Sequence, residues 1–352
     1  MNKHCECRSA LMRVLLGGAA LLIGSSFAWS APRSVAEIAT YQGPDRQALL
    51  EEGAKQEGAL EVYTTGTQAD PVFQAFEAKY PYIRVDAFKA DSPAVARRIL
   101  EEYKAGKYVA DEIDLSIGGL GAMLKAGILQ NFWSPELANI EADAIEPGKH
   151  WVVCYQSYIG LGYNTKEVSE AEVPKSFDDL LDPKWKGKMA LPNGATVIEW
   201  VGVLEREKGD DFVRKLGQQN FHVYAVTARA VANLIVSGEV PLSPAMYNSH
   251  FANSRAQGAS VAWRAIGAVE SFVGAEALAA KAPHPSAAML FIDFAMSMEG
   301  AKVFQKLGYA TTRTDLENAD KPPKVYHLTA EPDYQRNYDK WAAITNQVFG
   351  SQ

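Results

Sequence analysis

The apolar positions fall into two alternating kinds of stretch. Residues 35–57 carry an apolar stripe on an otherwise polar helix, and 60–63 follow as a short strand. Asp70 and Pro71 open a helix through Phe73, Phe76 and Tyr80, with the proline suited to a first turn. Residues 83–88 form the next strand. Ser92 and Pro93 cap a helix whose apolar positions Val95, Ile99 and Leu100 recur at helical spacing. Residues 113–117 give a third strand, which Gly118 and Gly119 turn into a helix over 122–126. Strands alternating with helices predict a largely parallel sheet with helices on both faces.

Residues 151–155 and 158–163 are strand-like and separated by the polar pair Gln156 and Ser157, where the chain is expected to cross from one lobe to another. The α/β pattern then repeats: strand 189–191, helix 198–207, strand 223–226, helix 230–237, strand 240–243, and a helix through Phe251 and Arg255. Residues 286–296 are a strongly apolar helix, a second begins at Met298, and the polar tail ends in an amphipathic helix around 338–348. The expected organisation is a first lobe of 31–155 plus about 266–320 and a second of 156–265 plus about 321–352.

The start of the chain changes the cellular setting. Lys3, Arg8 and Arg13 lead into an apolar run over 14–23, too short for the ~20 residues that span a bilayer. Residues 1–30 therefore read as a secretory signal peptide, cleaved after Ser30 to leave a periplasmic protein. Its loss removes a net +2, taking the formal charge from −7 to −9, which argues against a nucleic-acid partner. Only Cys154 remains beyond the leader, so no intramolecular disulfide forms. A length of about 320 residues with 47% apolar composition exceeds what one core usually holds.

Several separated segments, in this order, carry a resemblance: 62–65 before 76–81, then 114–116, 162–165, 179–188, 237–241, and 282–285 leading to 291–294 and 297–300. Together they resemble the family 1 extracellular solute-binding proteins, especially the branch related to bacterial ferric-iron-binding proteins. The resemblance implies an α/β, two-lobed, type II-like periplasmic binding protein fold with a ligand cleft between the lobes. It also implies hinge closure around a small-molecule ligand and delivery to the membrane permease of an ABC importer, by a protein expected to be monomeric.

In open α/β sheets ligands collect at the carboxyl ends of strands, where turns and helix N-termini present N–H groups. Thr64, Thr65 and Thr67 follow the first strand, Asp91 and Ser92 the second, Gly118 and Gly119 the third, and Asn193 and Thr196 the first strand of the second lobe. Tyr158, Tyr247, Asn248, His250 and Glu270 approach from the opposite direction. Each of these residue types also serves ordinary turns and caps; their shared topological position is what makes them candidates.

The iron-binding branch holds ferric iron through an adjacent tyrosine pair, a histidine and a carboxylate. Here Ser249 and His250 stand where the pair would lie, Thr67 near the histidine position and Gly118 near the carboxylate position. The expected ligand is therefore a small polar solute (organic anion, phosphonate or zwitterion), bound without a metal or cofactor, with ferric iron as the alternative. Arg229 reads either as a solvated surface side chain or as a source of positive charge. A secreted hydrolase is the remote alternative: Cys154 and His150 are four residues apart on a strand, more than ~10 Å at ~3.3 Å per residue. The chain beyond the leader has no G-x-S-x-G, H-E-x-x-H or C-x-x-C pattern.

Overall fold

Residues 33–66, 69–318 and 322–350 are described by a computed structural model; the expected leader and Thr67 lie outside them. The helices are α1 (Val35–Thr40), α2 (Arg46–Glu57), α3 (Asp70–Lys79), α4 (Ser92–Lys104), α5 (Ile117–Lys125), α6 (Ala195–Lys208), α7 (Asp210–Gly217), α8 (Ala228–Ser237), α9 (Ala252–Ala256), α10 (Pro285–Met296), α11 (Met298–Lys306) and α12 (Tyr334–Phe349). The strands are β1 (Ala59–Thr64), β2 (Arg84–Lys89), β3 (Glu112–Asp114), β4 (Leu129–Gln130), β5 (Trp151–Asn164), β6 (Ala190–Leu191), β7 (His222–Val223), β8 (Leu242–Tyr247), β9 (Val261–Arg264), β10 (Val269–Ala279), β11 (Ala310–Thr311) and β12 (Val325–Tyr326).

Local chemistry explains the boundaries. Ser34 and Glu37 form a reciprocal capping box on α1. The expected single helix over 35–57 is two, because Gly43 and Pro44 follow an extended Tyr41 and the chain restarts only at Arg46. Asp91 caps α4 by accepting the Ala94 N–H at 2.8 Å, and Val95 and Ile99 are its buried stripe. Gly118 and Gly119 do not make a turn: β3 ends at Asp114, Ser116 caps α5, and both glycines lie in the helix's first turn.

The main sheet runs β11-β5-β10-β3-β1-β2. Its β2-β1-β3 side is parallel, as expected, but β10 is antiparallel to both β3 and β5, so the sheet is mixed. The two long strands carry the connection between lobes. In its first half β5 pairs with β10; in its second half it pairs with β8 and β9. Gln156 and Ser157 do not interrupt it, and both are buried inside one continuous strand.

Two large apolar cores lie on either side of the crossing. The first joins residues between Ile38 and Tyr155 to residues between Val273 and Leu307. At its centre α10 is buried on nearly every face, as expected of a helix without a polar side, and Phe76 packs edge-on against Phe291 with ring centres 5.2 Å apart. The second core runs from Ile159 to Ala268 and takes in Leu328, Trp341 and Ile344, because α12 packs back on α6. A smaller cluster around Val231, Met246, Phe251 and Trp263 fills the space beneath α8.

Candidate functional site: the cleft beside the crossing strands

Strand pleating sorts the crossing residues onto two faces. Opposite Ser157 on β10 is Phe272, and opposite Tyr158 is Ser271. Tyr155 and Ser157 share one face, which we term the front. There the Tyr155 hydroxyl donates to Asp114 Oδ2 at 3.1 Å, and Ser157 donates to Asn248 Oδ1 at 2.9 Å. Gln156 and Tyr158 project from the other face.

On the first-lobe side of the front, Thr64 Oγ1 donates to Asp114 Oδ2 at 2.5 Å and accepts the Gly66 N–H at 2.7 Å. This anchors the loop leaving β1. Thr65 Oγ1 is buried there without a hydrogen bond among the described residues. Tyr155 needs glycine opposite it: a Cβ on Gly274 would stand 1.8 Å from the Tyr155 ring. Ser92 and Ser116 share a hydrogen bond at 3.1 Å, which joins the α4 and α5 N-termini. Gly118 meets the second lobe directly, since an added Cβ would lie 3.2 Å from the Thr329 carbonyl oxygen.

The segment after β8 forms the opposing wall. Asn248 is a structural tie: its Oδ1 accepts from Ser157 Oγ and from the Tyr158 N–H, and its Nδ2 donates to the Gly308 carbonyl at 3.1 Å. Because Ser157 spends its proton on Asn248, the Ser249 hydroxyl donates to Ser157 Oγ, at 2.7 Å. Tyr247 contacts His250 edge-on at 5.3 Å and Phe272 at 6.3 Å, and Thr196 at the start of α6 lies beside it. Arg229, at the start of α8, donates to the His250 carbonyl at 3.0 Å and has no carboxylate partner among the described residues. It is part-buried rather than solvated, and desolvation lowers its pKa. Burial, then the Arg229 charge, pulls His250 down to about 3, so its ring is neutral at physiological pH; Nδ1 is buried without a partner. Across from them the Tyr309 ring lies tilted against Tyr155, with ring centres 4.7 Å apart, its pKa pushed up to about 12 by burial.

Thus the fold brings Thr196, Tyr247 and His250 together with Arg229, whose role the sequence left open. Tyr155, Ser157, Phe272 and Tyr309 join them without having been singled out. Tyr155 and Ser157 are buried mid-strand among apolar residues, where nothing in the pattern distinguishes a side chain hydrogen-bonded to a distant segment from a packed one. Other candidates lie elsewhere or serve the scaffold. Asn193 is exposed beside Phe349 and Thr345, and Tyr158 is on the rear face. Asp91 is exposed as a helix cap. Glu270 accepts the Leu328 N–H with both oxygens, at 3.0 and 3.2 Å, and so caps a 3-10 turn over Leu328–Ala330. Cys154 is buried, and desolvation drives its thiol pKa well up; His150 is held by Glu146 at 3.0 Å. Neither is poised for nucleophilic chemistry.

The wall is rich in hydroxyls, a guanidinium and helix N-termini, which suits an oxyanion. Among the described residues, no group of three or more His, Cys, Asp or Glu could hold a metal ion, and no helix is long and apolar enough to cross a membrane.

Two α/β lobes joined by crossing strands, with polar side chains gathered beside them, define a periplasmic-binding-protein architecture. Residues 116–330 match the family model of bacterial extracellular solute-binding proteins, and the chain belongs to that family. An uncharacterized protein of Haemophilus influenzae is 22% identical over 318 residues, covering 82% of this chain and 88% of its own. Among solved structures, iron-bound HitA from Pseudomonas aeruginosa superposes with a TM-score of 0.66 at 21% identity, covering 82% of this chain and 99% of its own. AfuA from Actinobacillus pleuropneumoniae, with exogenous fructose-6-phosphate bound, gives 0.61 at 20% identity, covering 84% and 99%. The neighbours thus include ferric-iron-binding proteins, in agreement with the branch that the sequence resembles. The family is one of solute receptors that deliver small ligands to ABC permeases outside the cytoplasm, not of enzymes.

Proposed function

We propose that the chain captures a small organic anion, with a phosphate, phosphonate or carboxylate group, in the cleft between its lobes. The observation that carries this reading is Arg229. It is a part-buried guanidinium without a carboxylate partner among the described residues, beside His250 and near the Tyr309 ring, at the start of a helix. A desolvated cation of this kind is stabilised by an anion that enters beside it. Thr196, Tyr247 and Thr65 supply neutral donors, and a zwitterion uses the same anionic end. AfuA, crystallised with a sugar phosphate, supports this class of ligand.

The lobes close around the solute about β5 and β10, ligand contacts from both walls stabilise the closed form, and the importer's permease recognises its outer helical faces. In this reading residues 34–155 with 273–307 form one lobe and 159–268 with 328–349 the other. Thr64, Ser92, Gly118 and Gly119 shape the first wall, and Asn248 holds the second in place. Export by a cleaved leader completes the scheme.

HitA was solved with iron, which keeps ferric iron as the competing ligand. Against it, Ser249 is committed to Ser157 and His250 has no adjacent tyrosine on its own wall other than Tyr247, three residues back. A thermal-shift panel on protein refolded to strip carried-over ligand tests the proposal. A native-state ligand at a hundred times its dissociation constant adds about 2.7 kcal/mol. The expected result is a shift with one phosphate, phosphonate or carboxylate class that Arg229→Ala weakens at least tenfold. A shift with ferric citrate alone overturns it.

A further inference from the structure

The rear face of the crossing strands borders a second cavity, of about 330 Å³, at the small end of the roughly 300–1,000 Å³ typical of ligand pockets. Tyr158 and Gln156 enter it from β5, next to Trp151 and Val153; Ile117 and the stretch 141–147 close one side, and Val325, His327 and Ala330 the other. The front cleft lies on the opposite face of β5, where Ser157 meets Asn248 and Ser249. The two spaces are therefore separate, with one strand as their common wall.

Three features indicate what the cavity accepts. Tyr158 is only 5% exposed, yet its hydroxyl makes no hydrogen bond among the described residues. Gln156 is 7% exposed; its Oε1 accepts from Ser271 at 3.0 Å, while its Nε2 has no partner among the described residues. These are polar atoms of largely buried side chains that open into a cavity, where a ligand can complete them. The lining includes the carboxylates Glu141, Asp143 and Glu146 and no lysine or arginine among the described residues. Glu146 also holds His150, and His327, buried with Nδ1 unpartnered, is neutral near pH 7 because desolvation lowers its pKa. The rings of Trp151 and Tyr158 add two π-faces beside this negative rim.

We infer that this rear cavity is a second ligand site, specific for a small organic ammonium ion with an apolar or aromatic body. The ammonium group lies toward Asp143 and Glu146. The body packs on Trp151, Ile145 and Val153, and the Tyr158 hydroxyl accepts one N–H. The site is independent of whatever occupies the front cleft.

Isothermal titration with phenethylammonium, 2-phenylethanol and phenylacetate tests this, since the three share a body and differ in charge. Phenethylammonium is expected to saturate and to bind at least tenfold tighter than the alcohol or the acid. Asp143→Asn, an exposed position that does not threaten folding, and Trp151→Ala, checked by circular dichroism, each lower its affinity at least fivefold; Tyr158→Phe lowers it about twofold to threefold. The inference is overturned if the ammonium fails to saturate at 10 mM or if the alcohol binds as tightly. It is equally overturned if Arg229→Ala or Tyr247→Phe abolishes the signal while Asp143→Asn and Trp151→Ala do not, since the cation then sits in the front cleft.

Discussion

Each lobe buries carboxyl groups without an ion pair among the described residues, and the two lobes satisfy them differently. In the first, Glu112 and Asp114 on β3 lie against Glu276 on β10; Asp114 accepts from the Thr64 and Tyr155 hydroxyls and the Ala275 N–H, and Glu112 accepts the Ala277 N–H. In the second, Glu199 accepts the Tyr334 hydroxyl at 2.9 Å and Glu270 accepts backbone N–H groups of a turn. Burial raises all five: Glu112 and Glu270 well above the usual carboxylate range, Glu276 to about 8, Glu199 to about 7, and Asp114 upward as well. The first arrangement braces the loop at the cleft through several partners at once. The second ties down the turn that leads into α12, and each acid there acts nearly alone. Acids clustered around several shared partners make a brace whose parts are interdependent; acids capped singly make separable ties.

The largest expected effect is Asp114→Ala, which strands the Thr64 and Tyr155 hydroxyls and the Ala275 N–H and is expected to cost about 3 kcal/mol in urea unfolding. Glu270→Ala, which frees only the turn's N–H groups, is expected to cost about 1–2 kcal/mol. Equal costs would break the comparison.

Acidity sharpens it next. A carboxyl whose folded pKa is raised binds its proton more tightly folded than unfolded, so its stabilising contribution is full below the unfolded value near 4.5 and lost as pH rises through the folded value. Stability is expected to fall by a few kcal/mol between pH 5 and pH 8. Glu199→Gln flattens the part of that decline ending near pH 7, and Glu276→Gln the part extending to about 8, as followed by denaturation midpoints across pH. A flat profile in the unaltered protein would show that neither group keeps its proton.

A smaller effect of about 1–2 kcal/mol is expected for Gly274→Ala, which pushes the Tyr155 ring off its place above the strand without removing any acid. The smallest is a null result in solution: with its pKa near 3, His250 contributes no step to solute affinity between pH 5 and 8, measured by titration calorimetry.

The alternation of strands and helices was legible because burial on one face imposes a period that the residues must obey. The apolar helix α10 and the segments of the family resemblance appear where that period places them, whereas the cap of α4 is Asp91, one residue before the expected Ser92, which is the helix's first residue. β10 was not legible. It carries Glu270 and Glu276 inside a buried strand, and those acids are tolerated only because partners from β3 and the 328–330 turn meet them. Gln156 and Ser157 were misread as a break for the same reason, since their hydrogen bonds go to Ser271 and Asn248, more than ninety residues away in sequence. Of the candidate site, the segment 247–250 and Thr196 are gathered on one wall, while Tyr158 and Asn193 lie apart from it.

By itself the sequence determined the two-lobed α/β class and the family. These depend on local period and on residue identity, which the chain carries directly. Only the tertiary structure decided which face of β5 each side chain occupies, and hence that Ser157 meets Asn248 and Ser249 while Tyr158 opens into a cavity on the other face. One residue along a strand reverses a side chain's direction, and where that alternation begins is set by the strands paired on either side.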